Sequence, residues 1–121
     1  GYSSAASDVY KRQLIDSAKD YVHRNYRSVD LGLDDTCKEL GVSNSYFSSL
    51  FKKETGSSFV EYLTDYRMDK AARMLVETDD KSYVIAQNVG YADPNYFSYV
   101  FKRKYGVSPS RYRTEYEKNK V

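Results

Sequence analysis

Several residue types that carry particular functions are scarce or absent in this 121-residue chain. Its single cysteine, Cys37, excludes an internal disulfide. Because the chain also has only one histidine, a zinc cluster of Cys and His ligands is excluded too. No apolar run approaches the roughly 20 residues that a membrane-spanning helix needs. No catalytic constellation and no glycine-rich phosphate loop is visible. We therefore predict a cytoplasmic protein that is not an enzyme and has no metal or cofactor.

Proline and glycine are also few, with two and six copies, which favours helices over a turn-rich β fold. Apolar residues recur at helical spacing, and glycines or capping residues separate the helical segments. The sequence thus predicts an all-α fold of about seven helices, over residues 9–25, 33–40, 44–55, 58–78, 83–89, 94–105 and 108–119. Residues 1–8 are small and polar, so we predict that they are a disordered leader or a scar of sequence assembly.

One stretch of about a dozen residues occurs twice, about fifty positions apart. NSYFSSLFKKETG begins at Asn44, and NYFSYVFKRKYG begins at Asn95. Each copy follows a short helix that ends at a glycine and turns tightly into the repeated segment. A helix pair with such a turn is typical of the helix-turn-helix, whose second helix reads the DNA major groove. We predict two such homeodomain-like subdomains, over 9–57 and 79–121, joined by a long linker helix over 58–78.

The linker helix carries two apolar faces. Phe59 and Leu63 mark one face near its start, and Met68 and Leu75 mark another near its end, as expected if each end packs on a different partner. A helix of about 20 residues spans about 30 Å. Successive major-groove segments on one side of DNA lie about 34 Å apart, so the length is compatible with two recognition helices in adjacent grooves.

The charge distribution leaves other functions open. The formal net charge of +2 is weak support for a nucleic-acid partner, but residues 98–113 carry five basic side chains and no acid. A helical protein-interaction module without DNA binding is the main alternative, favoured if the recognition-helix surfaces are neutral or acidic. RNA binding is a second one. It requires exposed aromatic rings on which bases stack, whereas the phenylalanines here fall on predicted buried stripes.

Two long segments resemble the AraC/XylS family of bacterial transcription regulators. They read LDDTCKELGVSNSYFSSLFKKETGSSFVEYLTDYRMDKAARML and SYVIAQNVGYADPNYFSYVFKRKYGVSPSRYR, and together they cover about residues 31–113. The resemblance implies sequence-specific binding to double-stranded promoter DNA and, usually, activation of transcription through RNA polymerase. It also implies a sensor, receiver or dimerisation domain of the same protein that is missing from this chain.

The resemblance also assigns roles to residues of the two repeated segments. The base-facing residues implied by it are Asn44, Ser45, Ser48, Ser49, Asn95, Ser98 and Tyr99. Those implied to contact phosphates are Lys52, Lys53, Tyr96, Lys102 and Arg103, with packing as an alternative role for Tyr96. By spacing, the core positions are Phe47, Leu50, Phe51, Phe97, Val100 and Phe101. Because serine discriminates poorly between bases, we expect modest specificity and a large salt-dependent component of affinity.

Overall fold

The structure is a computed structural model that describes residues 4–119, with side chains from Ser7 onward. Within this range it contains seven α-helices and no strand, which confirms the predicted fold class. The helices are α1 (Ser4–Asn25), α2 (Leu33–Leu40), α3 (Asn44–Thr55), α4 (Phe59–Glu77), α5 (Ser82–Asn88), α6 (Pro94–Tyr105) and α7 (Pro109–Asn119). None of these helices has the length and apolar character that crossing a membrane requires.

The predicted helix ends agree with the structure to within one or two residues, except at the start of α1. The sequence predicted a disordered leader over residues 1–8, but α1 begins at Ser4, so this prediction is wrong for residues 4–8. Residues 5 and 6 are alanines, the best helix formers, and residues 4–25 contain no glycine or proline that would interrupt the helix. Residues 1–3 lie outside the described part of the chain.

The chain forms two compact units. The first combines the chain up to Asn25 with Asp30–Leu63, and the second combines Tyr26–Val29 with the chain from Thr64 onward. Helix α4 therefore contributes residues to both units, whereas the sequence assigned the linker helix to neither subdomain. The two apolar faces predicted for this helix are explained by the division, because Phe59 and Leu63 are buried in the first unit and Met68 and Leu75 in the second.

The first unit is built around an aromatic cluster. Phe47 and Phe51 of α3 pack against Phe59 of α4, with ring centroids 5.4 to 5.6 Å apart. Other buried apolar side chains of this unit come from α1, α2, α3, α4 and the segment before α2: Leu14, Ile15, Ala18, Val22, Leu31, Cys37, Leu50 and Leu63. Cys37 of α2 is thus a small buried side chain of this core. Burial also raises the pKa of its thiol.

The second unit has a core of its own, contributed by α4, by α5 with the residue that follows it, and by α6. Its buried members are Met68, Ala71, Ala72, Leu75, Ile85, Ala86, Val89, Phe97 and Phe101. Half-buried side chains pack around this core, among them Val100 and Tyr112. The predicted core positions in α3 and α6 are therefore buried, apart from Val100, which lies at the edge of the core.

A buried arginine fixes the residues after α1 within the second unit. Only 7% of Arg67 is exposed. Its Nε donates a hydrogen bond to the backbone oxygen of Tyr26 (3.0 Å), and its Nη2 donates to that of Ser28 (2.7 Å). The guanidinium also lies 5.5 Å from the ring centroid of Tyr91. Burial lowers the pKa of Arg67. These contacts supply partners for a charge that would otherwise be costly to bury.

Candidate nucleic-acid interface

Helix α3 starts where the sequence predicted, because a side chain caps its first turn. The Ser43 hydroxyl accepts a hydrogen bond from the backbone N–H of Tyr46 (3.2 Å), which satisfies one of the free donors of a helix N-terminus. Since the aromatic stripe of α3 faces the core, its other side faces solvent. That side carries the predicted contacts Asn44, Ser45, Ser49, Lys52 and Lys53, all exposed, while Ser48 is half-buried.

Helix α6 repeats this arrangement in the second unit. Asp93 accepts a hydrogen bond from the backbone N–H of Asn95 (2.9 Å), and Pro94 occupies the first helical position, where no N–H is needed. Its solvent-facing side carries the predicted contacts Asn95, Tyr96, Tyr99, Lys102 and Arg103, all exposed, while Ser98 is half-buried. In each unit the structure thus brings the predicted DNA contacts onto one helix face. Which of them touch DNA stays a prediction.

The first of these faces has an acidic neighbour that the sequence reasoning missed. The Asn44 side-chain nitrogen donates a hydrogen bond to the Asp34 carboxylate of α2. Asp34 and Asp35 lie in the first turn of α2, where the helix dipole favours negative charge. This bond uses one of the two hydrogens of the Asn44 amide nitrogen, which leaves the second hydrogen and the side-chain oxygen for a base edge. The acidic pair was visible in the sequence, but its distance from Asn44 was not.

The basic run over residues 98–113 is largely used within the second unit. Lys104 pairs with Asp69 at 2.8 Å and with Asp65 at 3.5 Å. Arg111 pairs with Glu115 at 3.0 Å. Arg113 donates to the backbone oxygens of Leu75 and Thr78 at the end of α4, at 2.8 and 3.0 Å. Among the described residues, Lys102 and Arg103 are the members of this run without an acidic or backbone partner.

The contacts of Lys104 and Tyr105 anchor the end of α6 to α4. Burial alone would raise the pKa of Asp69, but hydrogen bonds from Lys104 and from the Tyr105 hydroxyl (2.7 Å) outweigh it and lower that pKa. Burial and the bond to Asp69 raise the pKa of Tyr105. The carboxylate is therefore stabilised in its charged form, and it holds the basic end of α6 in place.

The described residues show no group of three His, Cys, Asp or Glu side chains arranged to hold a metal ion. His23, the single histidine of the chain, has its Nε2 atom 2.8 Å from the Tyr62 hydroxyl within the first unit. The candidate interface therefore consists of two helix pairs, and the capped second helix of each pair exposes polar and basic side chains.

Comparison with known proteins identifies the family. The sequence profile of a helix-turn-helix domain matches residues 36–115, about two thirds of the chain. The chain belongs to the AraC-type helix-turn-helix family. This AraC-type domain is 36% identical over 80 residues to the lactose operon transcription activator of Staphylococcus xylosus, covering 66% of the chain and 28% of the relative. The matched segment covers between about a tenth and a third of the length of each of three curated relatives.

Solved structures of similar size share the fold. The C-terminal domain of AraT, a response regulator from Geobacillus stearothermophilus, superposes on this AraC-type domain with a TM-score of 0.83 at 39% identity, covering 84% of each chain. The DNA-binding domain of AdpA, in complex with a target DNA, gives the same TM-score at 22% identity, covering 88% of this chain and 95% of the other. The two helix-turn-helix pairs are therefore those of AraC-type domains.

Proposed function

We propose that this chain is the sequence-specific DNA-binding domain of a bacterial transcription regulator, and that it inserts α3 and α6 into adjacent major-groove segments of promoter DNA. One observation carries the proposal. In both units, the second helix of a helix-turn-helix pair exposes polar side chains near its N-terminus and basic side chains near its C-terminus, opposite a buried aromatic stripe. A major groove admits a helix with such a face.

The two ends of each helix take different parts in binding. Short side chains such as Ser45, Ser49 and Asn95 allow the helix to approach base edges, to which their hydroxyl or amide groups hydrogen-bond. Lys52 and Lys102 reach phosphates, which position the domain and supply affinity that does not depend on sequence. Replacing a phosphate contact should therefore weaken binding to all sequences alike, and replacing a base contact should change the preferred sequence.

The two helix pairs contribute unequally to the electrostatic attraction. The segment from α2 to the end of α3 contains four acidic and three basic residues. The segment from α5 to the end of α6 contains one acidic and three basic residues. Of these bases Lys104 pairs with Asp65 and Asp69 of α4, so Lys102 and Arg103 supply the attraction. Since counterion release at phosphates drives most non-specific binding, we infer that the second pair supplies most of that component. The first pair, with Asp34 beside Asn44, depends more on matching bases.

The remaining partners belong to the full-length protein. Its curated relatives include a transcription activator and a response regulatory protein, each more than twice as long as this chain. We infer that the chain is attached to a sensor, receiver or dimerisation domain, that it works with RNA polymerase, and that it acts in the cytoplasm without enzymatic activity of its own. The activating role follows that of the similar lactose operon activator.

Selection of bound sequences from a random pool of duplex DNA tests the proposal. We expect enrichment of one short motif, or of two motifs about one helical turn apart. Lys102→Ala should reduce retention of all duplexes, whereas Lys118→Ala, which removes an exposed lysine near the end of α7, should leave it unchanged. If folded protein retained no duplex at low salt, the chain would be a protein-interaction module instead.

A further inference from the structure

Helix α6 carries an exposed aromatic feature that α3 lacks. Tyr96, Tyr99 and Arg103 are spaced three and four residues apart and share one side of the helix; we call them the tyrosine ridge. The rings of Tyr96 and Tyr99 stack with centroids 6.3 Å apart and an interplanar angle of 29°. They are 56% and 57% exposed, so packing in the described structure does not account for them. In the repeat, Ser49 of α3 takes the place of Tyr99.

The ridge is held in place at both ends. At one end, the ring of Tyr91 lies 6.0 Å from that of Tyr96 and 5.7 Å from that of buried Phe97. At the other end, Nη1 of Arg103 donates a hydrogen bond to the Tyr99 hydroxyl (3.4 Å), and its guanidinium lies 5.8 Å from the Tyr99 ring centroid. Because these contacts already order the rings, binding through them costs little side-chain entropy.

The chemistry of the ridge matches one feature of the major groove. Base edges there present polar donors and acceptors, except for the C5-methyl group of thymine, which is apolar. A tyrosine ring pressed against a polar edge leaves hydrogen-bonding groups unsatisfied, whereas the same ring against a methyl group removes apolar surface from water. Arg103, bound to the Tyr99 hydroxyl, adds a positive charge beside the ring that suits a neighbouring phosphate.

We propose that the tyrosine ridge reads thymine, with the ring of Tyr99 packed against the C5-methyl group of a thymine in the groove segment bound by α6. The inference rests on the proposed function and deepens it, because it names the base and the atom that one residue recognises. It also makes the two recognition helices chemically different. The first reads by hydrogen bonds from serine and asparagine, and the second adds an apolar contact.

The test uses duplex DNA enriched by the selection above and a set of copies in which one thymine at a time is replaced by deoxyuridine. This replacement removes only the methyl group. We expect one or two positions at which it weakens binding about fourfold, the effect of losing one buried methyl group. Tyr99→Phe should keep this sensitivity, and Tyr99→Ser, which copies the residue of α3, should abolish it. Tyr116→Ser, at an exposed tyrosine of α7, is the matched control.

The outcomes separate this inference from the function on which it rests. If the duplex binds specifically and every uridine copy binds equally well, the thymine inference is wrong while the DNA-binding proposal stands. If Tyr99→Phe alters the preferred base and uridine has no effect, Tyr99 reads through its hydroxyl and the inference is overturned. Tighter binding to the single strand than to the duplex would overturn it too, because the rings would then stack on bases. If Tyr99→Ser does not fold, the deoxyuridine-containing duplexes still test the inference with the unaltered chain.

Discussion

Replacing Gly90 with alanine should destabilise this protein far more than an ordinary glycine substitution. Gly90 follows α5 with φ of 93°, a conformation that disfavours any side chain. In addition, a Cβ at this position would lie 2.5 Å from the backbone oxygen of Tyr26 and 2.9 Å from the guanidinium carbon of Arg67. The clash is with backbone and with a buried, hydrogen-bonded charge, and neither moves without breaking other contacts.

The magnitude follows from two contributions. A positive φ costs an alanine about 1–2 kcal/mol. Relieving the clash requires Arg67 or the chain at Tyr26 to shift, which lengthens at least one of the bonds made by the buried guanidinium, and a hydrogen bond to a charged group contributes about 1.5–3 kcal/mol. We therefore expect Gly90→Ala to lower the free energy of unfolding by about 2.5–5 kcal/mol.

Gly106 offers a matched control in the same unit. Its φ is 82°, but a Cβ there would meet nothing within 4 Å, so Gly106→Ala should cost only the backbone contribution of about 1–2 kcal/mol. Urea unfolding followed by circular dichroism measures both variants. The reasoning is refuted if the two substitutions cost the same, because the close approach of Gly90 to Tyr26 and Arg67 would then have no energetic consequence.

Three further predictions concern stability and binding. Thr36→Val should leave the stability in urea unchanged or raise it by about 1 kcal/mol, because the buried Thr36 hydroxyl has no hydrogen-bond partner among the residues that the structure describes; a clear loss would contradict this. Asp69→Asn should lower the melting temperature at pH 7. Because the pKa of Asp69 is lowered in the folded protein, its stabilising contribution is present above the ordinary pKa of about 4 and is lost as the pH falls. The difference in melting temperature between the two proteins should therefore shrink below pH 4, and a difference that does not depend on pH would contradict this cause. Lys102→Ala should flatten the dependence of duplex affinity on salt by about one unit of slope, whereas Asn95→Ala should keep the slope and change the enriched sequence; the reverse pattern would exchange their roles.

Most of the fold was predictable from local signals. The repeated segment, the capping residues Ser43 and Asp93 and the helical spacing of buried aromatics all act within a few residues of the chain, and the structure confirms each of them. The start of α1 was missed because the polar composition of residues 4–8 outweighed their alanines in the prediction. Helix propensity is only a weak signal for the residue at which a helix begins.

The contacts that tune the candidate interface could not be predicted, because they join residues distant in sequence. Lys104 lies 35 residues from Asp69, and Arg67 lies 41 residues from Tyr26. A basic run therefore indicated a larger free positive surface than the structure has. The resemblance assigned Tyr96 and Tyr99 to the DNA-facing side, but the sequence did not show that their rings stack on each other.

The most direct test of the account is a nuclear magnetic resonance titration of the ¹⁵N-labelled chain with an enriched duplex. If both recognition helices enter the major groove, the backbone amide signals of α3 and α6 should shift most, in the first two turns above all, and the shifts should be smaller with a duplex of scrambled sequence. Shifts concentrated in α1 and α7, with the signals of both α3 and α6 unchanged, would contradict the account.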